Sequence, residues 1–402
     1  MPEKLEAKYG LPEEVVFCKY CVMSNQRPGS SIEFKHGVDR QHQTLHFDDE
    51  GVCDACRVAE QKEQIDWGAR EQDLLELLGR HRRNDGGYDC IVPGSGGKDS
   101  AYAAHVLKYK YGMHPLTVTW PPILYTDIGW KNFKDWIEVG GFDNVSFKPN
   151  GRIQRLLTRL SFENILHPFQ TFILGQKNLA PKLALAHRVP LVIFGENEAE
   201  YGNPIADSAS SLRNKSYYAM KDLSEIRLGG VSIPELIEKY DVELSDLMAY
   251  LPANHVELEK AGVEVHYLGY YLKWTPQENY YYAVEHTGFE ANRVRTEGTY
   301  SKYNSLDDRI DGFHYYTTYI KFGLGRASYD ASQEIRNKHL TREEGVRLVH
   351  RFDGEFPEKY FQEVMDCIGM DPDHFHELCD RFRSPHLWQK DNGGWYLRHQ
   401  VS

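Results

Sequence analysis

The sequence predicts an α/β protein built on a parallel sheet with helices on both faces. Strand-like runs occur at residues 88–92, 115–120, 191–195 and 263–268, with helical patterns between them. Parallel strands need such crossover connections. The first run leads into a glycine-rich turn and then a helix-forming stretch, AYAAHVLKYK. With 402 residues, 41% of them hydrophobic, the chain is long enough for two or three domains.

Charge and hydropathy exclude several classes of function. The formal net charge is −12 and the isoelectric point about 5.8, which makes nucleic acid a poor partner. No apolar run is long enough to span a membrane. The opening residues, MPEKLEAKYGLPEEVVF, lack the pattern of a secretion signal. We therefore expect a cytoplasmic protein with no membrane insertion.

Two pairs of cysteines near the start predict a structural zinc site. Cys18 and Cys21 form one CxxC turn, and Cys53 and Cys56 form the other. Four sulfurs brought together give the tetrahedral cage that Zn²⁺ fills. Disulfides and unrelated buried thiols are the alternatives, and the residues between the pairs are compatible with a small β-ribbon. The three isolated cysteines are expected to pack in the core: Cys90, Cys367 and Cys379.

The turn after the first strand predicts a phosphate-binding loop. A strand, a glycine turn and a helix together aim backbone N–H groups at an anion. The serine hydroxyls can donate to phosphate oxygens, and Asp99 suits a Mg²⁺ ion. A serine-capped tight turn without a ligand is the alternative. The candidate residues are Ser95, Gly96, Gly97, Lys98, Asp99 and Ser100.

Other candidates lie at the ends of the next strands. Ligands bind at the carboxyl ends of parallel strands. This places Trp120, Glu196 and Asn197 on the same rim as the loop. Surface charge is an equal alternative for Glu196 and for nearby Glu200.

The hexapeptide SGGKDS resembles the SGGxDS signature of the PP-loop ATPases, whose fold is that of the adenine nucleotide alpha hydrolases. The resemblance implies that ATP is cleaved between its α and β phosphates and that AMP is transferred to a substrate oxygen. A third block, YIKFGLGRASYDAS at residues 319–332, continues through residues 334–336 to TREEG at 341–345. With the CxxC pairs and the loop, it resembles the N-acetyl sugar amidotransferases of WbpG and PseA type.

That resemblance implies amidine formation on a bacterial surface-polysaccharide sugar, such as a lipopolysaccharide O-antigen sugar. An N-acetyl group would become an acetamidino group, through adenylation of the amide oxygen and displacement of AMP by ammonia. Lys321 and Arg326 are candidate catalytic residues, and Arg336 is a candidate for the pyrophosphate or an anionic sugar. Helix-surface charge is the alternative role for all three. The implied cofactors are Mg²⁺ and structural zinc beside ATP.

The source of ammonia is expected to lie outside the chain. Residue 2 is Pro, which excludes an N-terminal cysteine nucleophile, and no remaining cysteine sits on a glycine-flanked elbow. The resemblance implies partner subunits similar to the histidine-biosynthesis glutaminase and cyclase (HisH-like and HisF-like).

We predict three regions along the chain. A zinc-ribbon region spans 1–62, an ATP-binding α/β domain spans 63–275, and a mostly helical substrate region spans 276–402. Residues 207–258 are expected to form a helical insert covering the site. A tRNA-thiolating PP-loop enzyme and a non-catalytic ATP-binding scaffold remain alternatives. The net charge disfavours the first, and the intact loop disfavours the second.

Overall fold

A five-stranded parallel sheet forms the centre of the protein, described by a computed structural model over residues 5–29, 32–195 and 210–402. The strands of this sheet and of three small two-stranded sheets are, in chain order, β1 (Cys90–Pro93), β2 (Pro115–Thr119), β3 (Asp143–Ser146), β4 (Leu191–Phe194), β5 (Ala219–Met220), β6 (Arg227–Leu228), β7 (Val231–Ser232), β8 (Ala253–Asn254), β9 (Glu264–Tyr267), β10 (Trp388–Asp391) and β11 (Gly394–Leu397). The central sheet has the order β3-β2-β1-β4-β9, and all its neighbours are parallel.

Helices surround this sheet and form most of the C-terminal region. They are α1 (Asp54–Lys62), α2 (Trp67–His81), α3 (Lys98–His105), α4 (Asp127–Glu138), α5 (Gly151–Ile165), α6 (Gln170–His187), α7 (Ile233–Lys239), α8 (Leu244–Leu247), α9 (His255–Lys260), α10 (Leu268–Tyr271), α11 (Pro276–Thr287), α12 (Asp311–Phe322), α13 (Arg326–Arg336), α14 (Arg342–Phe352), α15 (Phe361–Ile368) and α16 (Pro372–Phe382). None of the described helices is long and apolar enough to cross a bilayer.

The two faces of the sheet bury two different apolar clusters. Ile91 and Val192 point to the face covered by α5 and α6. Val92 and Ile193 point to the opposite face, where they join side chains of α2 and α3. Alternate residues of a strand point to opposite faces, so continuous apolar strands need helices on both. The predicted fold class is confirmed.

The N-terminal region is more irregular than predicted. Its antiparallel pairing consists of isolated bridges, Phe17 with Ser24, Pro28 with Thr44, and Phe47 with Cys53. The expected β-ribbon is thus reduced to single paired positions. The chain here is held by its cysteine cluster and by packing against the C-terminal region.

The insert expected to be helical over 207–258 has mixed structure where it is described, from residue 210 onward. Short helices alternate with the two-residue strands β5 to β8. Ser232 caps α7, since its Oγ accepts a hydrogen bond of 3.4 Å from the Glu235 N–H. Ile226 and Leu228 are fully buried in the cluster beneath α5 and α6. The strands within the insert were not predicted, because they are too short for any periodicity.

The C-terminal region is mostly helical, as predicted, and it ends in an antiparallel hairpin of β10 and β11. It shares one apolar cluster with the rest of the chain, since Phe34, Ile91 and Phe313 all belong to it. The domain boundaries at 62 and 275 therefore stay predictions. Cys90 and Cys379 are buried, and Cys367 is partly exposed.

The close approach of α6 to Trp120 predicts a sharp effect of one methyl group. A Cβ at Gly175 would lie 2.0 Å from the Trp120 ring. Gly175→Ala should therefore lower the free energy of unfolding by about 1–3 kcal/mol through overpacking. Gly79 of α2 is the matched control, because a Cβ there meets nothing within 4 Å. Gly79→Ala should raise stability by about 0.5–1 kcal/mol. Equal effects in thermal or urea unfolding would contradict this packing.

Candidate functional site

A cavity of about 310 Å³ opens at the carboxyl ends of β1, β2 and β4. The strand order turns back between β1 and β4, and a crevice at that point is where open parallel sheets bind ligands. The residues that line the cavity come from the predicted phosphate loop, the strand ends, α6 and the segment before β5. They are Pro93, Gly94, Ser95, Gly97, Asp99, Ser100, Val118, Trp120, Gln176, Lys177, Leu179, Phe194, Gly195 and Arg213.

The loop is fixed by close backbone contacts. The Gly94 N–H donates to the Val118 carbonyl at 2.9 Å, which extends the pairing of β1 with β2. Gly96 has a φ of +84°, and a Cβ on it would lie 2.7 Å from Phe133 Cα in α4. A side chain at Gly96 is therefore excluded both by backbone conformation and by space.

The N-terminus of α3 faces this cavity without a side-chain cap. Gly97 occupies the N-cap position and has no side chain that could cap the helix. The first amides of a helix lack partners within the helix, and they carry its positive dipole end. Ser100 lies in the first turn, where its hydroxyl donates to the Gly97 carbonyl at 3.0 Å. This arrangement suits an anion at the helix end.

Lys98 and Asp99 form an ion pair at the edge of the loop. Lys98 Nζ lies 2.5 Å from Asp99 Oδ2, and Asn279 Nδ2 donates to Asp99 Oδ1 at 3.2 Å. Asp99 lines the cavity, whereas Lys98 is not among the lining residues. The phosphate contact predicted for Lys98 stays a prediction. The carboxylate of Asp99 is placed where a cation could replace the Lys98 ammonium as its counter-charge.

Two cationic side chains line the cavity together with the loop, and the sequence did not reveal either. Lys177 comes from α6 and Arg213 from the segment before β5. Arg213 is 5% exposed, and its guanidinium lies 5.1 Å from the centre of the Phe194 ring. Its backbone N–H donates to the Val265 carbonyl at 2.8 Å, which fixes it beside β9. No local motif marks either residue, because the tertiary fold brings them here.

The remaining wall of the cavity is apolar. Trp120, predicted as a rim residue, lines it and stacks on Phe147 with ring centres 5.7 Å apart. Its indole N–H is buried and has no hydrogen-bond partner among the residues that the structure describes. Val118, Leu179 and Phe194 complete this wall. A flat apolar surface beside a loop suited to phosphate is the combination that a nucleotide needs.

An acidic residue of the C-terminal region braces the loop from outside. The Asp307 carboxylate hydrogen-bonds the Ser95 side chain, and burial raises the pKa of Asp307. A Cβ on Gly129 would lie 2.4 Å from Asp307 Cα, so α4 packs closely against the same segment. Neither Asp307 nor Asn279 belongs to a motif of the sequence.

The three basic candidates of the third block do not line this cavity. Lys321 lines a second cavity, which shares Lys177 with the first. Lys321 Nζ donates to the Ile165 carbonyl at 2.7 Å, and burial lowers its pKa to about 7. Arg326 pairs with Asp330 at 3.0 Å within α13. Arg336 lies beside α1. Their predicted catalytic and binding roles stay predictions. Glu196, Asn197 and Glu200 lie outside the described residues.

The four predicted zinc ligands come together in a buried cluster. Sγ of Cys18 lies 3.8 Å from that of Cys56, and Sγ of Cys21 lies 3.7 Å from that of Cys53. In a tetrahedron with Zn–S arms of about 2.3 Å, sulfurs are about 3.8 Å apart. The residues thus fit a closed Zn²⁺ site.

The TREEG part of the third block supports this cluster. Thr341 caps α14 and Glu344 completes the capping box. The Arg342 guanidinium then donates to the carbonyls of Cys18 and Cys21, at 3.2 Å and 3.1 Å. One helix of the C-terminal region therefore holds the first CxxC turn in place.

Comparison with known proteins agrees with the predicted resemblance in the C-terminal region. Residues 297–401 match the family described as LPS biosynthesis protein WbpG-like, C-terminal domain. This region is WbpG-like, which confirms the resemblance there. No curated protein sequence is significantly similar to the chain.

Two solved structures are similar to part of the chain. An NH₃-dependent NAD synthetase from Campylobacter jejuni, in complex with nitrate, is 15% identical with a TM-score of 0.28. An NMN synthetase from Francisella tularensis is 17% identical with a TM-score of 0.26. Each likeness covers 49% of this chain and 92% of the other. At TM-scores this low, neither likeness bears on the function of this chain.

The cysteine cluster predicts a large effect of a single substitution. Cys53→Ser should remove about one zinc ion per chain and lower the free energy of unfolding by more than about 4 kcal/mol, because metal binding is coupled to folding. The control is Cys367→Ser, since Cys367 is partly exposed and isolated. That change should cost less than about 1 kcal/mol. Elemental analysis and thermal unfolding measure both effects, and unchanged zinc in Cys53→Ser would contradict the assignment.

Proposed function

We propose that this chain is an ATP-dependent amidotransferase that converts the N-acetyl group of a polysaccharide sugar into an acetamidino group. One observation carries the proposal: the loop of SGGKDS sequence forms the wall of a nucleotide-sized cavity at the point where the sheet order reverses. The WbpG-like region at residues 297–401 supports the choice of substrate class.

The residues of the first cavity fit ATP. Its apolar wall of Trp120 and Phe194 suits the adenine ring, and the uncapped α3 N-terminus suits the phosphates. Lys177 and Arg213 supply positive charge on the same cavity. Mg²⁺ held by Asp99 would add neutralisation of the phosphate oxygens.

The chemistry activates a weak electrophile. The amide oxygen of the acetamido group attacks the α-phosphorus of ATP, an O–P bond forms, and the bond to pyrophosphate breaks. Ammonia then adds to the imidate carbon, and the C–O bond breaks as AMP leaves with the former amide oxygen. The ammonium of Lys177, the guanidinium of Arg213 and the loop amides stabilise negative charge on the departing pyrophosphate.

The second cavity is the proposed site of the sugar. It adjoins the first through Lys177 and is lined by Arg27 and Lys321. The Arg27 guanidinium, together with Lys321 in its protonated form, favours an acidic acetamido sugar, such as a nucleotide-linked uronic acid or a nine-carbon acidic sugar. Ammonia is proposed to come from HisH-like and HisF-like partner subunits.

Asp99→Asn tests the proposal directly. With ATP, Mg²⁺, an ammonium salt and a panel of acidic acetamido sugars, the wild-type chain should release AMP and pyrophosphate. The sugar product should lose about one dalton and gain a basic group. Asp99→Asn should lower turnover by about 100-fold or more, because the carboxylate that would hold Mg²⁺ beside the reacting phosphates is lost.

The matched control is Asp391→Asn at the exposed end of β10, which should keep full turnover. Circular dichroism checks that both variants are folded. Full activity of Asp99→Asn would contradict the assignment of the cation site. Release of ADP and phosphate would contradict the proposed reaction, and binding of ATP without any turnover across the panel would favour a scaffold.

A further inference from the structure

The second cavity contains a cluster of side chains that the proposed function does not use. The cavity has a volume of about 290 Å³ and lies between the N-terminal region, α6 and α12. Four histidines line it together with one buried carboxylate. They are His36, His42, His167, His314 and Glu33.

Three of these residues converge on one point. Glu33 and His36 lie at the two ends of a single 3₁₀ turn, three residues apart, and His167 lies in the connection between α5 and α6. Glu33 Oε2 is 3.5 Å from His36 Nδ1 and 3.5 Å from His167 Nε2. The three ligand atoms all lie within 4.8 Å of one another.

The cluster lacks the hydrogen bonds that would explain it as a plain polar contact. Glu33 is 6% exposed and His36 is 4% exposed. Within the described residues, Glu33 Oε2 and His36 Nδ1 are buried and make no hydrogen bond by distance and angle. They face each other only at an ion-pair distance of 3.5 Å. Buried polar atoms nearly always make a hydrogen bond, so this pair has the unfilled bonding capacity that a shared ligand would use.

The two distances from Glu33 Oε2 to the histidine nitrogens match those of a metal site. For Zn–N and Zn–O arms of about 2.1 Å, the atoms of a tetrahedron are about 3.4 Å apart. The cysteine cluster of the same chain shows the same agreement. Its sulfurs lie as far apart as two ligands of one Zn²⁺ ion do when the bonds are the longer Zn–S bonds. Both clusters have the spacing of ligands around an ion rather than that of hydrogen-bonded pairs.

We propose that Glu33, His36 and His167 bind a divalent transition-metal ion, at a site separate from the four cysteines. Two imidazoles and one carboxylate are a common donor set for zinc and for other first-row ions. Three protein ligands leave one coordination position open. That position faces the cavity, where an oxygen or nitrogen atom of a bound molecule can take it.

The metal content of the full-length chain tests this proposal without any substrate. Purified protein is dialysed against Zn²⁺, freed of loosely bound ions, and analysed for all first-row metals. The wild-type chain should hold about two ions, one in each cluster. Glu33→Gln keeps the shape of the side chain but removes its charge, and His36→Ala removes a ligand. Each should lower the content by about one ion.

His42→Ala is the matched control, since His42 lines the same cavity and is 8% exposed but lies outside the converging set. It should keep the wild-type content. Cys53→Ser should lose the other ion and keep the one bound by Glu33, His36 and His167. If His36→Ala fails to fold by circular dichroism, the near-isosteric Glu33→Gln decides.

A wild-type content of about one ion, or a Glu33→Gln chain that holds as many ions as the wild type, would overturn the proposal. Glu33 would then be the buried counter-charge of the neighbouring histidines. Because the metal analysis needs neither ATP nor sugar, a negative result would leave the proposed amidotransferase activity untouched. In the same way, a lack of amidotransferase activity would leave the proposed metal site untouched.

Discussion

The crevice between β1 and β4 is the constraint on which the rest of the site depends. From β1 the chain passes through α3 to β2 on one side, and it reaches β4 only after α6 has covered the other face. The two connections leave the sheet in opposite directions, so a space opens at the carboxyl ends of the strands. The loop after β1 and the cations Lys177 and Arg213 meet only in that space.

The C-terminal region supports both the phosphate loop and the cysteine cluster. Asn279 and Asp307 contact the phosphate loop, while Arg342 holds the first CxxC turn. The conspicuous TREEG motif thus stabilises the cysteine cluster rather than the phosphate site. Lys321 connects the same region to the second cavity. The TREEG part of the third block therefore has a structural role at a distance from the phosphate loop.

The sequence predicted those parts of the fold that have strong local signals. β1, β2, β4 and β9 were predicted from short strand-like runs, and the loop was predicted from its glycines. The strand β3, Asp143–Ser146, was missed because it is a polar edge strand with partly exposed residues. The cysteine cluster follows from spacing alone.

The remainder of the site depends on tertiary structure. Lys177 lies within an ordinary helix, and Glu33, His36 and His167 come from two segments far apart in sequence. The spacing of Glu33 and His36 would suit one face of a turn, but nothing local indicates that His167 joins them. Such convergence is visible only once the sheet and its helices are assembled.

A crystal structure of the chain with a non-hydrolysable ATP analogue and Mg²⁺ tests the central claim most directly. We expect the adenine against Trp120, the phosphates at hydrogen-bond distance from the amides of the loop after β1, and Arg213 beside them. A nucleotide bound elsewhere, with the loop amides in contact with solvent, would contradict the account.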